Sequence, residues 1–182
     1  MSNIEQQATY IREIELRKSK VQVIAMQISK LLCFYTIFLI SFTASAGQAD
    51  ALKKLQHELP NEKWDMETAL KIDIDCDGTE DFVFLSQTPN YAQVGLIPGL
   101  INGQSVFTQR IAIGDPKQDS LCAAPANIGT ESLDYNPTEM VGEIPGFQAS
   151  KSCKAFVLAG GECDMFHFFW NHKESKLDWW RL

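Results

Sequence analysis

Apolar and polar residues are distributed differently before and after residue 46. Leu31 to Phe42 form a mostly apolar run that follows Lys30 and precedes the small residues Thr43 to Ala46. A positive charge, an apolar run of this length and small residues, in that order, are typical of a cleavable signal peptide. We therefore predict that residues 1–46 are an export signal with cleavage at its end, and that residues 47–182 form a single exported β-rich domain.

Two other interpretations of the N-terminal segment stay open. An uncleaved membrane anchor would need about 20 apolar residues to cross the hydrocarbon core, and the run from Leu31 to Phe42 is shorter. Translation could also start at Met26, because the residues before it would otherwise make the polar part of the signal unusually long. Lipidation of Cys33 is not expected, because the residues just before it are large leucines and not small residues.

After residue 46 the hydrophobic pattern predicts one short helix and then strands. Leu52, Leu55 and Leu59 recur at helical spacing between Asp50, an N-cap residue, and Pro60, which ends the helix. Short apolar or alternating runs between Gly, Pro and Asn turns predict six strands. They are Asp81–Leu85, Tyr91–Ile97, Ser105–Ile113, Lys154–Leu158, Met165–Trp170 and Leu177–Arg181.

The fold class expected from this order is mainly β. We predict a small antiparallel sheet or sandwich of about six or seven strands, with one short N-terminal helix packed on it. The stretch 115–152 contains four prolines and few long apolar runs. It is therefore predicted to be a long surface excursion tied down by cysteines.

Four cysteines remain after the predicted signal: Cys76, Cys122, Cys153 and Cys163. An even number in a small exported domain predicts two disulfides. A tight turn at Gly160-Gly161 would put Cys153 and Cys163 far apart along a hairpin, so a bridge between these two is least expected. Two pairings stay open. We favour Cys122 with Cys153 and Cys76 with Cys163 over Cys122 with Cys163 and Cys76 with Cys153.

The segment 73–81 carries the one motif with defined chemistry. Carboxylates stand at loop positions 1, 3, 5 and 9 and glycine at position 6, as Asp73, Asp75, Asp77, Asp81 and Gly78. This spacing turns alternate side chains toward one hard cation, and glycine permits the sharp bend. The ligands are oxygens and no histidine is present, so the predicted cofactor is Ca²⁺. A solvated acidic turn is the alternative.

The loop resembles the strand-loop-strand calcium sites of FG-GAP and VCBS-type repeats, because the strand Phe82 to Leu85 follows it directly. The resemblance covers residues 73–85 and implies that the four carboxylates and the backbone carbonyl of Thr79 bind calcium. An EF-hand would require Glu at position 12, where this chain has Phe84. One copy of the motif does not predict a propeller, which needs several blades.

Charge excludes several classes of partner. The chain holds 16 basic and 23 acidic residues; residues 1–46 include five of the basic and three of the acidic ones, so the remainder has 11 and 20 and a net charge of −9. Nucleic acids and anionic membranes are bound through clusters of Lys and Arg, so neither is an expected partner.

Candidate catalytic residues are few. Cys163 and His167 could supply two zinc ligands if the thiol were free. A carboxylate pair for glycoside hydrolysis could come from the acidic residues of the excursion, which depends on their separation in space. These are Glu131, Asp134, Glu139 and Glu143.

The C-terminal segment is rich in aromatic residues on both faces of its last hairpin, from Phe166 to Trp180. One face must belong to the core. The other is expected to be covered by the helix and the excursion; the alternative is an exposed recognition patch that includes Arg181.

The function expected from these features is binding, not catalysis. We predict a periplasmic or secreted domain, stabilised by calcium and disulfides, that binds a protein or a cell-envelope component as an inhibitor, immunity factor or adhesion accessory does. The alternative is a small secreted hydrolase that uses carboxylates on glycan or peptidoglycan. A domain held at the membrane by an uncleaved anchor is the third hypothesis.

The exported protein is predicted to begin at Gly47, because the Ala44-x-Ala46 signal directly follows the apolar run. Intact mass and N-terminal sequencing of the protein recovered from the envelope check this. Retention of residues 1–46 would contradict the prediction and favour the anchor.

Overall fold

Strands dominate the computed structural model, which describes residues 47–99, 105–114 and 119–182. The predicted signal segment and its alternatives lie outside these residues. The first helix, α1, covers residues 47–58 and α2 covers Thr138–Val141. The strands are β1 (Trp64–Ile72), β2 (Asp81–Gln87), β3 (Tyr91–Ile97), β4 (Phe107–Ile113), β5 (Ser120–Leu121), β6 (Asn127–Ser132), β7 (Lys154–Ala159), β8 (Phe166–Asn171) and β9 (Lys176–Trp180).

The strands form two sheets. The first sheet has the order β1-β2-β3-β4-β5 and the second has the order β6-β7-β8-β9. All neighbouring pairs are antiparallel except β4 and β5, which are parallel. The prediction of a mainly β fold with one short N-terminal helix and two disulfides is thus confirmed, although the described residues form nine strands and not six or seven.

The main core lies between the facing surfaces of the two sheets. Its buried side chains come from alternate positions of the strands, including Val83 and Leu85 of the first sheet and Phe156, Phe166 and Phe168 of the second. The rings of Phe156 and Phe168 stack with their centroids 4.8 Å apart. The period-2 alternation of apolar residues therefore gives each sheet one face for this shared core.

Helix α1 covers the other face of the first sheet. Leu55 packs there with Trp64, Phe84 and Ile97 in a second buried cluster. The contact is close, because a Cβ at Gly95 of β3 would lie only 2.7 Å from a Leu55 methyl carbon. A small residue at this position lets the helix approach the sheet.

The outer face of the second sheet is covered by the chain between β6 and β7. Phe169 and Trp180 are buried there beneath Tyr135, Val141 and other residues of this segment. The alternative of an exposed aromatic recognition patch on this face is therefore wrong. The cover is the excursion alone, since α1 packs on the first sheet.

Both disulfides join the first sheet to the second. Cys76, in the loop between β1 and β2, is bonded to Cys153, and Cys122, directly after β5, is bonded to Cys163. The favoured pairing was wrong, and the second alternative is the observed one. The tight turn expected at Gly160-Gly161 is also wrong, because Leu158 pairs with Phe166 and leaves Cys163 within a longer turn.

Candidate metal centre

The loop of residues 73–80 connects two antiparallel strands, and Ile72 pairs with Asp81 at its base. The flanking elements are β1 and β2, so the helix-loop-helix arrangement of an EF-hand is absent from this loop. Gly78, at position 6, has φ +85°, a left-handed conformation in which a side chain is unfavourable. The role expected for this glycine in the bend is thus observed.

Three of the predicted carboxylates come together. Oxygen atoms of Asp73, Asp75 and Asp81 all lie within 4.8 Å of one another. Oδ1 of Asp73 is buried and has no hydrogen-bond partner among the described residues. Because a buried acceptor without a partner is unfavourable, this oxygen is suited to a cation ligand. The acidic cluster therefore has the donor set and the geometry to hold a metal ion.

Asp81 is the fixed point of this cluster. It is fully buried, and its two carboxylate oxygens accept hydrogen bonds from the backbone N–H groups of Ile74 (2.8 Å) and Gly99 (2.7 Å). A Cβ at Gly99 would lie 2.5 Å from the side chain of Thr79 and 2.7 Å from the carbonyl oxygen of Glu80. Glycine at position 99 thus allows the backbone just after β3 to approach Asp81.

Asp77 is not one of the three clustered side chains. Asp77 is exposed, and its Oδ1 accepts a hydrogen bond of 2.7 Å from the backbone N–H of Thr79. The N–H of Asp77 in turn donates to Oδ1 of Asp75, and that of Gly78 to Oδ2 of Asp73. These bonds shape the loop and orient the carboxylates of Asp73 and Asp75.

Burial and mutual repulsion raise two pKa values in the loop. Desolvation raises the pKa of Asp81 to about 6, although the hydrogen bonds from Gly99 and Ile74 act in the opposite direction. Desolvation is also the main cause that raises the pKa of Asp75, and the charges of Asp77 and Asp73 contribute. A bound cation would favour the ionised forms of these groups.

The second sheet holds the loop at two points. The backbone N–H of Lys154, at the start of β7, donates to the carbonyl oxygen of Asp73 at 3.0 Å. Three residues later the Cys76–Cys153 disulfide makes the second link, with the two Cα atoms 5.4 Å apart. Asp75 lies between these two anchors, so the sandwich itself restrains its position.

The zinc hypothesis for Cys163 and His167 is wrong, because the sulfur of Cys163 is bonded to Cys122. His167 instead lies with its Nδ1 2.8 Å from Oε1 of Glu131, and its ring stacks on Trp180 at a centroid distance of 4.0 Å. Sequence spacing gave no sign of this pair, because Glu131 comes from β6 and His167 from β8.

The hydroxyl of Tyr135 donates to the same Glu131 oxygen at 3.1 Å. Desolvation, together with the charge of Glu131, raises the pKa of Tyr135 well above its ordinary value. Glu131 is thus bound to a histidine and a tyrosine. The other three acidic candidates are exposed, and none of them makes a described hydrogen bond to Glu131; they are Asp134, Glu139 and Glu143.

A second polar cluster that sequence reasoning missed surrounds Glu62 on the outer face of the first sheet. The Glu62 side chain is 7% exposed and accepts hydrogen bonds from Ser86, Tyr91 and Arg110. The guanidinium of Arg110 also lies 4.2 Å from the centre of the Tyr91 ring. These partners satisfy the buried carboxylate, which indicates a structural role.

Comparisons with protein-family models, with curated proteins and with solved structures found no match to this chain. Within the described ranges, no helix has the length and the hydropathy that a membrane crossing requires.

Substitution of Asp81 by alanine is predicted to destabilise the protein even without a cation. Asp81→Ala leaves two buried N–H groups without acceptors, at about 1–3 kcal/mol each. Asp77→Ala is the control, because its exposed partner N–H can turn to water, and we expect a loss below about 1 kcal/mol. Denaturant unfolding in a chelating buffer measures both. Equal losses would contradict the structural role of Asp81.

Proposed function

We propose that this protein is an exported β-sandwich domain that binds Ca²⁺ in its 73–81 loop and acts by binding a protein or a cell-envelope component. The observation that carries the calcium proposal is the convergence of Asp73, Asp75 and Asp81 within 4.8 Å. The buried Asp73 oxygen without a partner supports it. Like charges so close together repel, and a divalent cation reverses the sign of that interaction.

Calcium fits the donor set better than other common cations. All the clustered donors are carboxylate oxygens, which hard cations prefer. Calcium accepts six to eight oxygen ligands at variable geometry, so backbone carbonyls such as that of Thr79 and water can complete the shell. Asp77 is an outer member of the set in this proposal, since its carboxylate hydrogen-bonds the loop backbone.

Export to an oxidising compartment is supported by the two inter-sheet disulfides. It fits the apolar run that precedes residue 47. We assign the protein to the periplasm or the extracellular space on these grounds.

Binding is favoured over hydrolysis because Glu131 and Glu62 are engaged in structural contacts. Glycoside hydrolysis uses two carboxyl groups about 5–9.5 Å apart on either side of the substrate. Glu131, the partly buried candidate, bonds to His167 and Tyr135, and Glu62 bonds to Arg110, Ser86 and Tyr91. The net charge of −9 in residues 47–182 favours a partner with a basic surface over a polyanion.

Calcium is predicted to raise the melting temperature by a few degrees. With a dissociation constant near 10⁻⁴ M, about 1 mM Ca²⁺ stabilises the folded state by roughly 1.4 kcal/mol. Thermal melting with calcium and with a chelator measures the shift. The Asp75→Ala/Asp77→Ala variant should show no shift, whereas Asp134→Ala/Glu139→Ala, which removes two exposed charges elsewhere, should keep it. Identical melting temperatures of the wild type in both buffers would contradict the calcium proposal and favour a solvated acidic turn.

A stoichiometric partner is predicted to co-purify with the protein from native envelope extract. The same preparation is assayed for release of soluble fragments from peptidoglycan and glycans. A partner at one-to-one ratio without turnover supports binding. Turnover that is lost in a Glu131→Gln variant, with no partner retained, would contradict the proposal and favour the hydrolase.

A further inference from the structure

The Cys76–Cys153 disulfide lies inside the acidic loop and not beside it. Cys76 occupies loop position 4, directly between Asp75 and Asp77. It has φ +65°, a left-handed conformation that a residue with a Cβ rarely adopts. Something must hold it there, and the bond to Cys153 is the one covalent restraint on this residue beyond its neighbours in the chain.

The conformation of Cys76 determines how Asp75 is oriented. Oδ1 of Asp75 accepts a 3.1 Å hydrogen bond from the backbone N–H of Asp77, across the left-handed residue. If Cys76 relaxed to negative φ, the chain direction would change and this N–H would leave Asp75. Asp81 would stay in place, because the N–H groups of Ile74 and Gly99 hold its carboxylate. The backbone of Asp73 would stay bonded to Lys154 of β7, but its Oδ2 would lose the N–H of Gly78, which also follows Cys76.

We propose that the Cys76–Cys153 disulfide controls the cation affinity of the loop: reduction of this bond weakens cation binding, and cation binding makes the bond harder to reduce at equilibrium. This inference rests on the proposed calcium site and assigns its regulation. The two effects must be equal in size, because a coupling free energy between two sites is reciprocal.

The redox step is an exchange with a dithiol. Its thiolate attacks one sulfur of the protein disulfide and the other sulfur leaves as a thiolate; the second thiol of the reagent then closes its own disulfide. The protein gains two electrons and two protons, and the dithiol loses them. Cys76 is exposed and Cys153 is buried at 5% exposure, so the reagent reaches the bond from the loop side.

The second disulfide provides a matched control. Cys122–Cys163 also joins the two sheets, but it lies at the other end of β7, next to the contact between the Ala123 N–H and the Gly160 carbonyl. A general stabilisation of the fold by calcium would act on both bonds. A coupling through the loop acts on Cys76–Cys153 alone.

The first measurement is a redox titration of the oxidised protein, expressed from its full sequence, in mixtures of reduced and oxidised dithiothreitol. Alkylation and peptide mass spectrometry read each bond separately, in 1 mM calcium and in chelator. We expect 1 mM calcium to raise the dithiol-to-disulfide ratio that half-reduces Cys76–Cys153 about five-fold, which is the shift that a ten-fold loss of affinity from about 10⁻⁴ M produces at this concentration. The ratio for Cys122–Cys163 should change less than two-fold.

The second measurement is calcium affinity by calorimetry. Cys76→Ala/Cys153→Ala should bind about ten-fold more weakly than the wild type, and Cys122→Ala/Cys163→Ala within two-fold of it. If the first variant does not fold, the titration of the wild-type protein still decides. Equal shifts of both bonds, equal affinities in all three proteins, or no calcium effect on either bond would overturn the proposal. Wild type that binds no calcium would instead refute the proposed site itself.

Discussion

Two covalent links between the sheets, one at each end of β7, constrain the whole sandwich. Cys153 precedes β7 directly and is bonded to the β1–β2 loop, while Cys163 follows β7 and is bonded to the end of β5. The bonds span 77 and 41 residues of sequence. By the chain-entropy model each contributes roughly 4 kcal/mol by restricting the unfolded chain, which is large beside the stability of a small domain.

The two disulfides help to explain how an acidic loop with mutually repelling carboxylates keeps its shape. Asp73, Asp75 and Asp81 are held close together by backbone donors, by the buried end of β3 and by the second sheet, despite their mutual repulsion. The raised pKa values of Asp75 and Asp81 show that burial disfavours the charged carboxylates. A cation would relieve this cost without a rearrangement of the loop, as in any preorganised site.

Local spacing predicted the parts of the molecule that depend on neighbouring residues. The acidic loop, its glycine bend and the helix of Leu55 are of this kind, and the mainly β class followed from the alternating runs. Strand β1 escaped prediction because its register shifts between Asp65 and Leu70, which interrupts the alternation of apolar residues.

Contacts between distant segments could not be read from spacing. Strand β6 is a mostly polar edge strand, NIGTES, without an apolar pattern, so residues 119–152 contain β5, β6 and α2 where only an excursion was expected. The disulfide pairing depends on which loop faces which end of β7, and the Glu131–His167 contact spans 36 residues. Only the packing of the sheets determines these partners.

The most direct test of a preorganised calcium site is an anomalous difference map from crystals of the oxidised protein grown with calcium. We predict one peak within about 2.3–2.6 Å of carboxylate oxygens from Asp73, Asp75 and Asp81, with Asp81 still bonded to Ile74 and Gly99. The contradicting result is a map at saturating calcium in which the three carboxylates are ordered in the same loop and no peak lies between them.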